Sequence, residues 1–227
     1  MKKLLLAAFT ICCFSLQAQI ENMSGTMNKP ISEIEQYKGT QGSPYFLEEF
    51  KAGTIVDKSG RVHNVFLKYD TYQEEVELFN DGKTLIIDNN IYPKFTIEFI
   101  DEKLGKKVSY TFTNEIKIPG MKRSKYSLVL ADGENMKLVK VIQTFLNESQ
   151  DSGYGGIVQP HRFETKEMYF LLKGNGESLE VKASNKSVLK AFNNDPSLKA
   201  YFKKQKVKIR REKDLVELAE YLDSKGQ

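Results

Sequence analysis

From Gly42 to about Val181 the chain alternates apolar and polar residues with a period of two, and this pattern limits the fold more than any other feature. "RVHNVFLKY" places Val62, Asn64, Phe66 and Lys68 on one face and His63, Val65, Leu67 and Tyr69 on the other. "EEVELF", "KFTIEFI", "KVSYTFTN", "YSLVLA", "MKLVKVIQTFL", "EMYFLLK" and "SLEVKA" continue the pattern, with the β-branched and aromatic composition of strands. Lys58-Ser59-Gly60, Asn80-Asp81-Gly82, Asp132-Gly133 and Asn175-Gly176 separate these runs, and such pairs supply the positive φ angles of tight hairpins. Tight turns make consecutive strands antiparallel neighbours. The expectation is a mainly β protein, an antiparallel meander of about eight to ten strands that rolls into a barrel or folds over as a sandwich. No segment of crossover-helix length interrupts the run before residue 184, which argues against parallel α/β architecture.

The period changes at Ser184. "SNKSVLKAFNND" spaces Val188, Leu189 and Phe192 as a helix does. "DPSLKAYFKK" opens with Asp195 as a cap and Pro196 in the first turn, and "KDLVELAEYLDSKG" aligns Leu215, Leu218, Ala219 and Leu222. Residues 184–227 therefore read as a small helical appendage packed on the β domain, which spans 42–183.

At the other end, "MKK" followed by the apolar run "LLLAAFTICCFSL" and "QAQ" has the layout of a secretory signal peptide over residues 1–18. The run is too short to span a bilayer as a helix, so no transmembrane span is expected after cleavage. A lipoprotein anchor at Cys12 or Cys13 is the rival, but Ile11 and Cys12 stand where small residues are needed. Cleavage after Ala18 removes both cysteines, and with them thiol catalysis, disulfides and thiolate metal sites. Loss of Lys2 and Lys3 lowers the formal charge from +4 to +2. The expected location is the periplasm, the outer membrane or the exterior, and residues 19–41 read as a polar lead-in with a helical turn in "ISEIEQY".

Catalytic signatures are absent: no phosphate-binding loop, HExxH, nucleophile elbow, CxxC or calcium loop occurs. His63 and His161 are too few for a zinc centre without a fixed pair of carboxylates, so no cofactor and no metal are expected. Glu75 and Glu77 share a strand face about 7 Å apart, a separation found between the carboxylates of inverting glycosidases. Their alternation with Val76 and Leu78 makes them the wet face of an amphipathic strand instead.

Two regions remain as candidate contact sites. The long polar loop 147–163 carries Tyr154, His161 and Arg162. The basic run "FKKQKVKIRREK" carries Lys203, Lys204, Lys206 and Lys208. It lacks the stacking aromatics of a single-strand reader, so no nucleic acid is expected as partner. It reads first as a solvated edge that discourages strand pairing, and second as a contact for an anionic lipid or glycan.

"GSPYFLEEFKAGTIVDKSGRVHNVFLKYDTYQEEVEL" resembles the N-terminal signature of a family of uncharacterised exported proteins widespread in Bacteroidetes. Leu67, Lys68, Tyr69, Asp70, Tyr72 and Glu75 to Glu77 carry it, with Lys68 and Asp70 where the family has arginine and asparagine. "EMYFLLKGNGESLEVKASNKSVLKAF" and "VKIRREKDLVELAEYL" resemble its C-terminal half, where Tyr221 remains of a tyrosine pair. The resemblance implies an envelope or secreted protein and lends no catalytic residue. The combined expectation is a non-enzymatic exported envelope protein that binds an unknown protein, glycan or anionic lipid. The alternatives are a carrier holding an apolar ligand in a curved sheet under a helical lid, and an envelope hydrolase.

Overall fold

Alternating side chains become two faces of one sheet. A computed structural model of the chain describes residues 23–30, 37–101, 105–121, 125–148 and 160–226. The signal sequence, residues 31–36 of the expected helical turn, and Tyr154 lie outside the described residues.

Among the described residues eleven strands form the sheet: β1 (Thr26–Asn28), β2 (Lys51–Val56), β3 (Val62–Asp70), β4 (Glu75–Asn80), β5 (Lys83–Ile87), β6 (Lys94–Asp101), β7 (Lys106–Thr113), β8 (Ser127–Asp132), β9 (Met136–Asn147), β10 (Arg162–Lys173) and β11 (Ser178–Val181). Their order is β1-β5-β4-β3-β2-β6-β7-β8-β9-β10-β11, every named pair is antiparallel, and the sheet is open, with β1 and β11 as its edges. Asn80 pairs with Lys83, and Asp81 and Gly82 between them both have positive φ, so the Asp-Gly signal makes the two-residue hairpin it predicts. Gly60 and Gly176 likewise have positive φ in their turns.

The structure adds strands that the sequence pattern did not single out. Thr26–Asn28, inside the expected lead-in, pairs with β5 at the sheet edge. Arg162 opens β10 rather than lying in a loop.

The inner face holds the main core. Ile55, Leu67, Tyr69, Leu78, Phe95, Ile97 and Phe112 are at most 1 % exposed and form one cluster with Tyr126 and Leu128. Phe95 and Phe112 stack at 4.7 Å, and Tyr126 meets Phe95 edge-on at 4.8 Å. The sheet curls enough for Thr144 of β9 to hydrogen-bond Thr71, just past β3, through their hydroxyls at 2.6 Å.

The helices α1 (Asn185–Ala191), α2 (Pro196–Lys204) and α3 (Glu212–Ser224) cover the inner face of the C-terminal strands. Ser184 and Asp195 cap the first two by accepting from backbone N–H groups. Leu215, Leu218, Ala219 and Leu222 of α3 pack with Met136, Leu138 and Leu171, and each leucine so buried contributes roughly 2 kcal/mol. Asp223 at the end of α3 accepts from the backbone N–H groups of Asn135 (2.7 Å) and Met136 (3.0 Å), which pins that helix to the β8–β9 turn.

The stretch between α2 and α3 is extended, as its alternation suggests, but it joins no strand. The Asn185 amide accepts from Ile209 N–H and donates to the Val207 carbonyl, which leaves no ladder there for the lysines to protect. Val207 and Ile209 dock inward.

Candidate interaction surface

On the outer face β3 and β4 place Phe66 opposite Phe79, Lys68 opposite Glu77 and Asp70 opposite Glu75. One end of this patch is therefore apolar and the other charged. Residues 37–50 cross the charged end. Phe46 N–H bonds the Tyr69 carbonyl, Thr71 N–H bonds the Pro44 carbonyl, and Tyr45 bridges to Asp70. Gln41 bridges to Arg162, so this strap also reaches the start of β10.

Under the strap lies a buried ionic network. Lys29, which follows β1, places Nζ 2.6 Å from Glu77 Oε1 and 3.4 Å from Glu75 Oε2. Lys68 Nζ sits 3.2 Å from Glu77 Oε2 and lies over the rings of Tyr45 (3.7 Å) and Phe50 (4.8 Å). Tyr45 donates to Glu77 and Tyr37 to Asp70. Asp70 also accepts from the backbone N–H groups of Tyr72 and Gln73. Burial pushes the Asp70 carboxyl above its ordinary range, against the pull of those hydrogen bonds and of Lys29. Burial alone would lower the Lys29 ammonium, but the Glu77 hydrogen bond and the charges of Glu77, Glu75 and Asp70 outweigh it and leave it raised.

Glu77, side chain 1 % exposed, is thus not on a wet strand face as its alternation implied. The sequence pattern separates two faces but cannot show that a strap and a distant lysine cover the polar one. Lys29, Tyr37 and Tyr45 carry no local signal of this role.

Beyond the strap the face is open. Phe66 is 55 % and Phe79 45 % exposed, and Phe50 packs on Phe79 at 5.5 Å. Following the strand register across the sheet, Met27, Val62, Ile100 and Phe145 also fall on this outer side. All six exposed large apolar side chains among the described residues share one face; the main core lies on the inner face, and a smaller buried cluster of Val139, Val141 and Phe170 with Ile118 lies on the outer side of β9 and β10. The signal was legible in sequence, since Phe66 shares its face with Asn64 and Lys68, and Phe79 with Glu75 and Glu77.

The candidate contacts read from sequence do not come together. His161 and Arg162 are exposed at the start of β10, beside the strap. Lys203, Lys204, Lys206 and Lys208 are exposed on and after α2, whose Phe202 packs with Leu171 near the other end of β10. Leu171 lies nine positions along the strand from Arg162, a span of about 30 Å. None of those four lysines has an ionic partner among the described residues. His63 points inward, with Nε2 3.5 Å from the Asp57 carboxylate. No group of three or more histidine, cysteine or acidic side chains is placed to hold a metal among the described residues. No described helix is long and apolar enough to cross a membrane.

No protein family, curated protein or solved structure matches the chain.

Proposed function

We propose that the chain is a non-enzymatic protein exported to the cell envelope, where it acts by binding or assembly through the outer face of its sheet. The observation that carries this reading is the segregation of the exposed apolar side chains onto that face, centred on the directly opposed Phe66 and Phe79. Exposed aromatics held rigidly on paired strands present contact area at low entropic cost, as interface cores do.

Two other readings have less support. A carrier needs inner-face positions left unfilled, and there Tyr69, Phe95, Phe112 and Tyr126 pack ring against ring. A hydrolase built on Glu75 and Glu77 would need both carboxylates open to a substrate, and Glu77 is buried between the Lys29 and Lys68 ammonium groups.

The test compares the wild type with a Phe66→Thr/Phe79→Thr variant, because threonine keeps the strand preference while removing the rings. Both proteins are mixed with isolated envelope fragments and sedimented in high salt. At least tenfold weaker retention of the variant is expected. Equal retention of both would overturn the assignment of this face.

A further inference from the structure

The ladder between β7 and β8 is cut short. β7 pairs with β6 over eight residue pairs but with β8 only at Phe112–Leu128 and Thr113–Ser127. Just beyond Leu128, β8 bulges between Val129 and Ala131 while staying paired to β9, and a bulge bends its strand. β8 therefore turns away from β7 in the middle of the sheet, and an open groove of about 460 Å³ lies along the seam.

Alternation fixes which backbone groups face that seam. Asn114 N–H bonds the Pro93 carbonyl, so every second residue back along β7 (Phe112, Tyr110, Val108 and Lys106) also turns its N–H and C=O toward β6. Lys107 and Ser109 turn theirs toward the seam, beyond the last pair with β8. The edge from Lys106 to Thr111 is about 20 Å long.

We infer that this seam is a slot for a single extended peptide segment of another protein, which inserts between β7 and β8 and pairs with the backbone of Lys107 and Ser109. The walls define the segment. Ser109, Thr111, Ile116 and Val129 line the outer side, which suits small or hydroxyl side chains. Tyr110 and Leu130, half-buried against the core cluster, border the inner side and suit apolar ones. Lys94, Glu115 and the Asp132–Lys137 ion pair also line the groove, so its polar walls carry both charge signs and the backbone edge, not net charge, selects the segment. A second folded copy does not fit, because β8 closes the far side and only a strand with both edges free can enter. This mode of recognition draws its affinity from main-chain hydrogen bonds. The slot lies on different strands from Phe66 and Phe79 and stands independently of the role proposed for them.

Amide hydrogen exchange read by NMR on the full folded chain tests the slot. In the free protein, the Lys107 and Ser109 amides are expected to exchange much faster than those of Val108 and Tyr110. The probe is the synthetic peptide Glu-Thr-Val-Thr-Val-Thr-Val-Thr-Glu, with a control methylated at alternate backbone nitrogens. At millimolar concentration the unmodified peptide should slow Lys107 and Ser109 exchange at least tenfold, and the control should not. A Ser109→Pro variant, which removes only a seam-facing donor, should keep the melting midpoint and lose the effect. Equal protection of all four amides in the free protein, or no slowing by the unmodified peptide, would overturn the inference.

Discussion

Lys29 and Glu77 stand 48 residues apart in the chain and 2.6 Å apart in the fold, both with side chains 1 % exposed. The pair ties the segment after the edge strand β1 to the centre of β4. Lys68 and Tyr45 complete the coordination of the same carboxylate. A buried pair of this kind adds little net stability over an apolar pair of similar shape, but removing one member strands the other's charge.

Lys29→Met is therefore expected to cost about 3 kcal/mol in urea unfolding. Adding Glu77→Gln to that variant should recover part of the loss. A double-mutant cycle measures the coupling directly. If the two substitutions add without coupling, the ion pair does not hold the edge.

Asp57 gives a pH prediction of definite sign. Its carboxylate accepts from the Ser59 hydroxyl, from the backbone N–H of Ser59 and Arg61, and from Arg61 Nε. The Ser59 hydroxyl bond is the largest cause, and together these contacts hold the carboxyl well below its usual range despite the opposing cost of burial. The group's contribution is thus present above the unfolded value of about 3.9 and lost as pH falls through the depressed folded value. Urea midpoints of wild type and Asp57→Asn should differ most near neutral pH and converge on acidification. A gap that stays constant down to pH 2 would contradict this assignment.

Gly53 shows the effect of a close approach between strands. A Cβ there would collide with the Thr96 carbonyl oxygen on β6 and meet Leu67 Cδ2 at 2.7 Å, and the first of these is backbone that cannot swing aside. Gly53→Ala should lose about 3 kcal/mol. Thermal unfolding of the variant checks it; an unchanged midpoint would mean that β2 and β6 separate at little cost.

The basic run should prove dispensable. Reversing Lys203, Lys204, Lys206 and Lys208 to glutamate is expected to change stability by less than about 1 kcal/mol, since each is exposed. Retention on envelope fragments at low salt should also persist. Loss of that retention would restore the run as an anion contact.

The strand content and the three C-terminal helices among the described residues were legible because each is written in local periodicity. Asp195 and Pro196 announce α2, and Asp81-Gly82 announces its hairpin, within a few residues. The site was only half legible. Phe66 and Phe79 stand out as apolar residues on polar faces, whereas the burial of Glu77 depends on residues 29, 45 and 68 meeting across the sheet. The slot beside β7 was hidden for the same reason, because "KVSYTFTN" and "YSLVLA" both read as good strands. Nothing in either run shows that their ladder stops after two pairs.

The position of β1 carries a consequence for how the molecule comes together. Thr26, Met27 and Asn28 take Ile87, Ile86 and Leu85 as neighbours, so β1 is synthesised some sixty residues before its mate. Until β4 and β5 have formed their hairpin, the Lys29 ammonium has only water to solvate it. This edge of the sheet is thus made early and fastened late.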